Sequence, residues 1–88
     1  MKDYVTRVID GDTFDVAAGV RIRLENVDAP EIDAPQGPVA KNKLEELILH
    51  RYVEYKEKTR DEYGRIVAQV WEDDTNVNEL MNEFIANL

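Results

Sequence analysis

Apolar and polar positions change period along this chain, and each change marks an element. Tyr4 to Ile9 alternates β-branched and polar residues and ends at Asp10–Gly11, a hairpin signal. Alternation resumes from Asp12 to Val16, and Ala17–Ala18–Gly19 makes a second short turn. Val20 to Val27 predicts a third strand, with Val20, Ile22 and Leu24 on one face and Arg21 and Arg23 on the other. Ala29–Pro30 stops it, because proline cannot donate to a ladder. After a loop holding Pro35, Gly37 and Pro38, the period becomes helical: Ala40, Leu44, Leu47 and Ile48 form one stripe. His50 and Arg51 fall where that helix should end, complementing its dipole. Tyr52 to Lys58 alternates again with Val53 and Tyr55 inward, and 59–64 reads as a polar loop. Arg65 to Glu72 is a further strand, and Asn76 with Glu79 opens a last helix whose apolar face is Val77, Leu80, Met81 and Phe84.

The order β-β-β-α-β-β-α predicts an α+β chain, mainly β. The plan is a five-stranded OB-type Greek-key barrel with a helix between strands 3 and 4 and a second helix at the C-terminus. The first three strands lack crossover helices, which disfavours a doubly wound sheet. With no internal repeat or linker, residues 1–88 read as a single domain.

Composition narrows the function classes. There is no cysteine, which excludes disulfides and thiolate metal sites and fits a reducing compartment. No apolar run approaches the roughly 18 residues of a membrane span, and the first residues lack a signal-peptide core. A cytoplasmic protein is expected, unless a leader has been removed. Net charge is −8; residues 1–44 hold six basic and eight acidic groups, and residues 45–88 hold five and eleven. Such a chain gains little from counterion release, which drives sequence-independent nucleic-acid binding.

Three segments nevertheless hold the residue types that phosphodiester cleavage requires: Asp10–Gly11–Asp12–Thr13, Arg23 to Glu31, and Asp61–Glu62–Tyr63–Gly64–Arg65. Together they offer oxygen ligands for a hard cation, a base for water and guanidiniums for a phosphate. Each alone reads as a turn with solvated charges. Their order at strand ends of one small barrel changes that. His50 reads as a helix-end residue, Trp71, Tyr52 and Tyr55 as barrel packing, and Glu72–Asp73–Asp74 as a solvated turn.

With Phe14 and Val16 after the first segment, Val67, Ala68, Val70 and Trp71 after the third, and Val77–Asn78–Glu79–Leu80 beyond, the chain resembles the staphylococcal nuclease (thermonuclease-like) family of calcium-dependent nucleases from about Val5 to Phe84. The resemblance implies that Asp12 and Asp28 bind Ca²⁺ with the backbone carbonyl of Ala29, and that Glu31 is the general base. It implies that Arg23 and Arg65 hold the scissile phosphate and stabilise its transition state, and that Tyr63 contacts a terminal phosphate of the substrate. The implied reaction cleaves DNA and RNA at the 5′ P–O bond, leaves 3′-phosphate ends and favours unpaired strands.

The chain departs from the family at Glu62, where lysine or arginine is usual, and in the short 32–38 loop, which lacks the usual lysines. Family members continue past the second helix into a segment bearing base-contacting tyrosines and a third helix, whereas this sequence ends at Leu88. Weak substrate capture is expected, and marginal stability unless the second helix, a second copy or a partner covers the open barrel face. Two readings follow. One is a Ca²⁺-dependent nuclease working on single-stranded DNA or RNA. The other is a catalytically weak or inactive nuclease-like OB module that binds nucleic acid or a protein partner.

Overall fold

The computed structural model describes all 88 residues. Its first strand, β1 (Lys2–Asp10), does not keep a strict alternation. Val5 and Val8 both point into the core with exposed Thr6 and Arg7 between them. The register against the next strand slips between Val5 and Arg7 and again between Val8 and Asp10. Such bulges bend a strand and re-aim its end. β2 (Thr13–Val16) pairs antiparallel with β1 and with β3 (Arg21–Leu24), placing Thr13 opposite Arg23.

β3 ends three residues before the expected Val27. Asn26 adopts φ 60°, a left-handed conformation that asparagine tolerates, and this turns the chain out of the sheet. Val27 is still fully buried. β3 also pairs in parallel with β5 (Ile66–Glu72), Ile22 opposite Ile66 and Leu24 opposite Ala68. That contact closes the ring β3-β2-β1-β4-β5, giving the five-stranded α+β barrel.

α1 (Gly37–Ile48) has Pro38 in its first turn, where a missing N–H is harmless, and buries Gly37, Ala40, Leu44 and Ile48. The helix stops earlier than expected. Its last turn holds no basic residue, Leu49 is already extended, and His50 sits at φ 60° with its N–H on Val5 O. The imidazole stacks on Tyr4 instead of facing the helix end, so His50 and Arg51 lie beyond the helix. β4 (Tyr52–Arg60) buries Val53 and Tyr55 as the alternation predicts. Tyr52 corrects the packing assignment: it is 61% exposed, pairs with Tyr4 on the outer face and meets that ring edge-on. Trp71 is half-buried.

After the turn at Asp73 and Asp74, both exposed, a two-residue β6 (Thr75–Asn76) pairs with the end of β5. It leads into α2 (Val77–Ala86), where Asn76 Oδ1 accepts the Glu79 N–H over 2.8 Å as an N-cap. Val77 and Met81 are buried on this helix, and so is Asn78. The Asn78 amide accepts from Val70 N–H (2.9 Å) and donates to Ala68 O (3.0 Å) and Glu25 O (2.9 Å), tying α2 to β5 and to the exit of β3. No helix is long and apolar enough to cross a membrane.

Candidate active site

The turn between β1 and β2 is pressed against α1 and the segment after β3. A methyl group on Gly11 would stand 2.7 Å from Ala40 Cβ and 2.8 Å from Ala29 Cβ, so only glycine fits unshifted. Asp10 Oδ1 accepts the Asp12 N–H over 3.0 Å, closing the turn. Asp12 is 6% exposed. A carboxylate buried to that degree needs partners, and it has them. Oδ1 accepts from the Thr13 hydroxyl (2.7 Å) and Oδ2 from the Ala29 N–H (3.1 Å). Arg23 Nη2 lies 3.5 Å from Asp12 Oδ2 and 3.8 Å from Asp28 Oδ1, and Asp28 is fully exposed. Arg23 Nη1 donates to Leu24 O over 2.9 Å, which sets the guanidinium plane. One cationic group therefore draws together carboxylates from two separate segments.

Asp10 stands beside this cluster. Burial, then a hydrogen bond with the Asp12 carboxyl and the Asp12 charge, raise its pKa above the ordinary aspartate value, against the lowering effect of the Asp12 N–H and Thr13. Crowded carboxyls of this kind suit a cation. Asp10 is a site neighbour that its residue type alone does not single out; its place two residues before Asp12 is the one signal in the sequence.

Arg65 is held separately. Its Nε donates to Asp61 Oδ2 over 2.6 Å and its N–H to Asp61 Oδ1 over 3.0 Å, while the guanidinium lies 5.3 Å from the centre of the Tyr63 ring. Tyr63 is 76% exposed. Burial alone would raise the Asp61 pKa, but hydrogen bonds from the Arg65 side chain and from the Arg65 and Tyr63 N–H groups outweigh it and hold it low. Asp61 is thus a second residue whose part was not read from sequence. A groove of about 730 Å³ joins this loop to the β1–β2 turn, with Asp10, Thr13, Asp15, Arg21, Tyr63 and Arg65 in its walls.

The expected residues thus fall into three groups. Asp12, Arg23, Asp28 and Ala29 meet directly. Arg65 and Tyr63 share the groove with Asp10 and Thr13. Glu31 lies outside both sets of contacts, exposed on the loop before α1, with its carbonyl accepting the Ala34 N–H over 2.9 Å. No three His, Cys, Asp or Glu side chains converge to cage an ion. The side-chain donors near Arg23 are carboxylate oxygens, a set that fits a hard cation such as Ca²⁺ or Mg²⁺ better than a soft metal. Backbone, water and phosphate oxygens must complete such a shell.

The model of the staphylococcal nuclease homologue family matches residues 21–84. The chain belongs to the staphylococcal nuclease family. Among its family relatives, a protein named "Uncharacterized endonuclease" from Escherichia coli is 42% identical over 81 residues, 88% of this chain and 53% of that protein. "Micrococcal nuclease" of Shigella flexneri is 37% identical over 73 residues, 80% of this chain and 42% of that protein. "Thermonuclease" of Staphylococcus intermedius is 38% identical over 85 residues, 84% of this chain and 51% of that protein. This nuclease-family chain thus spans about half the length of these relatives.

Proposed function

We propose that this chain is a Ca²⁺-dependent phosphodiesterase that hydrolyses single-stranded DNA and RNA. The observation that carries the reading is the convergence of Asp12 and Asp28 on Arg23, at 3.5 and 3.8 Å, within the matched family segment and the turn that precedes it. Asp12, Asp28 and the carbonyl of Ala29 would hold the ion. Ca²⁺, when bound, polarises a phosphoryl oxygen and neutralises charge on the phosphate. Arg23 and Arg65 grip the remaining phosphate oxygens; planar, permanently charged forks suit the extra negative charge of the transition state. Glu31 takes the proton from the attacking water. Tyr63, exposed beside Arg65, contacts a neighbouring phosphate. For Arg65 to reach the substrate it must share or leave Asp61.

Arg23→Ala tests this directly. Removing one preorganised charge costs about 10²–10³ in turnover, so kcat on an oligonucleotide should fall by that factor while circular dichroism stays native. Unchanged turnover in Arg23→Ala would remove the arginine from the chemistry.

A second reading has its own support. Both arginines already face carboxylates, Glu62 is exposed beside Tyr63, and the net charge is −8. Those features favour weak capture, and a binding module with little or no turnover. Arg65→Ala separates the two: an enzyme loses turnover by orders of magnitude, and a protein-binding module is indifferent.

A further inference from the structure

Gly37, the first residue of α1, is buried against the backbone of the loop that carries Glu31. A methyl group built there would overlap the Glu31 carbonyl oxygen and stand 2.8 Å from Glu31 C and from Ile32 Cα. These are backbone atoms, so no flexible side chain can give way. Gly37 does not have the positive φ of Gly19 or Gly64, so the demand here is for space and not for conformational freedom. On helix propensity alone, alanine would be the better residue.

The loop closes on the same point from its other side. Ala34 N–H donates to Glu31 O (2.9 Å), and Gly37 N–H donates to Ala34 O (3.0 Å). The Glu31 peptide is clamped between a hydrogen-bonded turn and the first helical residue while its carboxylate stays in solvent. One helical turn later, Ala40 meets Gly11, the residue between Asp10 and Asp12. The start of α1 therefore touches both the loop bearing Glu31 and the turn bearing Asp12.

We propose that Gly37 is a positioning residue for the reaction: its missing side chain lets α1 seat the Glu31 peptide and so fixes the point from which the Glu31 side chain reaches the site. This rests on the reading of Glu31 as the base. A displacement of about 1 Å in a reacting group costs up to about 100-fold in rate, so the backbone shift that a methyl group forces here is read in turnover as well as in stability.

The test is steady-state cleavage of a single-stranded oligonucleotide by the full chain in Ca²⁺. It compares wild type, Gly37→Ala, Glu31→Gln and the double variant, with thermal melts beside each. Gly37→Ala should lose about 10- to 100-fold in kcat, with KM within about twofold. Glu31→Gln should cost about 10²-fold or more in the wild-type background, and the double variant should fall no lower than Glu31→Gln alone, because groups acting as a unit are not additive. Val39→Ala, on the exposed side of the same turn, should behave as wild type. Multiplying losses, or an unchanged kcat in Gly37→Ala, overturn the proposal, since a merely structural glycine lowers stability without masking Glu31. If Gly37→Ala does not fold, Ala34→Gly decides. That variant adds no atom but loosens the turn; it should lower kcat several-fold and partly mask Glu31→Gln, and full additivity overturns the proposal. A wild type that cleaves nothing removes the nuclease reading and this proposal with it. A cleaving wild type with additive variants removes only the role of Gly37.

Discussion

The Ala29 N–H donates to Asp12 Oδ2 over 3.1 Å, joining two segments 17 residues apart. With the Thr13 hydroxyl on Oδ1, this bond fixes the carboxylate in place. An ionised carboxylate has about four acceptor sites, so both oxygens keep capacity for a cation. Asp12 is oriented by two neutral donors, with Arg23 3.5 Å from Oδ2, and keeps lone pairs for a cation.

Ca²⁺ should therefore stabilise the fold. A ligand at 100 times its Kd adds about 2.7 kcal/mol, which for a domain of this size is a Tm rise of roughly 10 °C or more. Asp12→Asn and Asp28→Asn should each abolish most of that rise, whereas Asp15→Asn, whose carboxylate is engaged by Arg21, should keep it. Scanning calorimetry with and without Ca²⁺ checks this, and a full rise in Asp12→Asn would place the ion elsewhere.

Acid should weaken the β4–β5 loop. The Asp61 carboxyl is held below its ordinary value, so its stabilising contribution is complete above the unfolded value of about 3.9 and disappears as pH falls through the lower folded value. Asp15, lowered chiefly by its hydrogen bond from Arg21, behaves in the same sense. Wild type should melt above Asp61→Asn at pH 6, and the two curves should converge in strong acid, once the pH is below the lowered folded value. A gap that widens in acid would contradict the pairing.

Salt should affect substrate affinity only mildly. Two arginines on phosphate predict a log–log slope of about −1.4 for a single strand, and an acidic surface adds nothing to it. Fluorescence anisotropy with a labelled oligonucleotide, in Ca²⁺ and with a non-cleavable backbone, measures the slope. A value steeper than about −4 would require basic contacts beyond Arg23 and Arg65.

Gly11→Ala should destabilise the protein by about 1–3 kcal/mol, the usual cost of overpacking, since its methyl meets Ala40 and Ala29. Adding Ala40→Gly should recover part of the loss, because it removes the tighter of those contacts. Urea denaturation of wild type and both variants decides it, and no recovery would place the strain at Ala29.

Strands that alternate strictly were legible in the residues, and those that bend were not. Val53 and Tyr55 in β4, and Ile66, Ala68 and Val70 in β5, follow the period-2 pattern because each strand buries one face. β1 breaks that pattern at its bulges, and β3 is cut short where Asn26 turns left-handed, a backbone choice without a periodic signal. The parallel β3–β5 pairing joins distant segments, and no local pattern encodes it. Tyr52 looked like packing because aromatic residues carry large apolar area, yet its register opposite Tyr4 faces it outward.

The candidate site divides in a similar way. Asp12, Arg23 and Asp28 sit in short motifs whose residue types already suggest their chemistry, and the fold brings them within ion-pair reach. The lock of Asp61 on Arg65 and the contact of Gly37 with Glu31 arise from close approach in three dimensions, so the residues alone did not show them.

The most direct test of the account is incubation of the purified chain with end-labelled single-stranded DNA and RNA at low salt, in millimolar Ca²⁺ and again with EDTA. Fragments ending in 3′-phosphate are expected in Ca²⁺, and intact strands in EDTA. Intact strands in Ca²⁺, or cleavage that EDTA leaves unchanged, would contradict it.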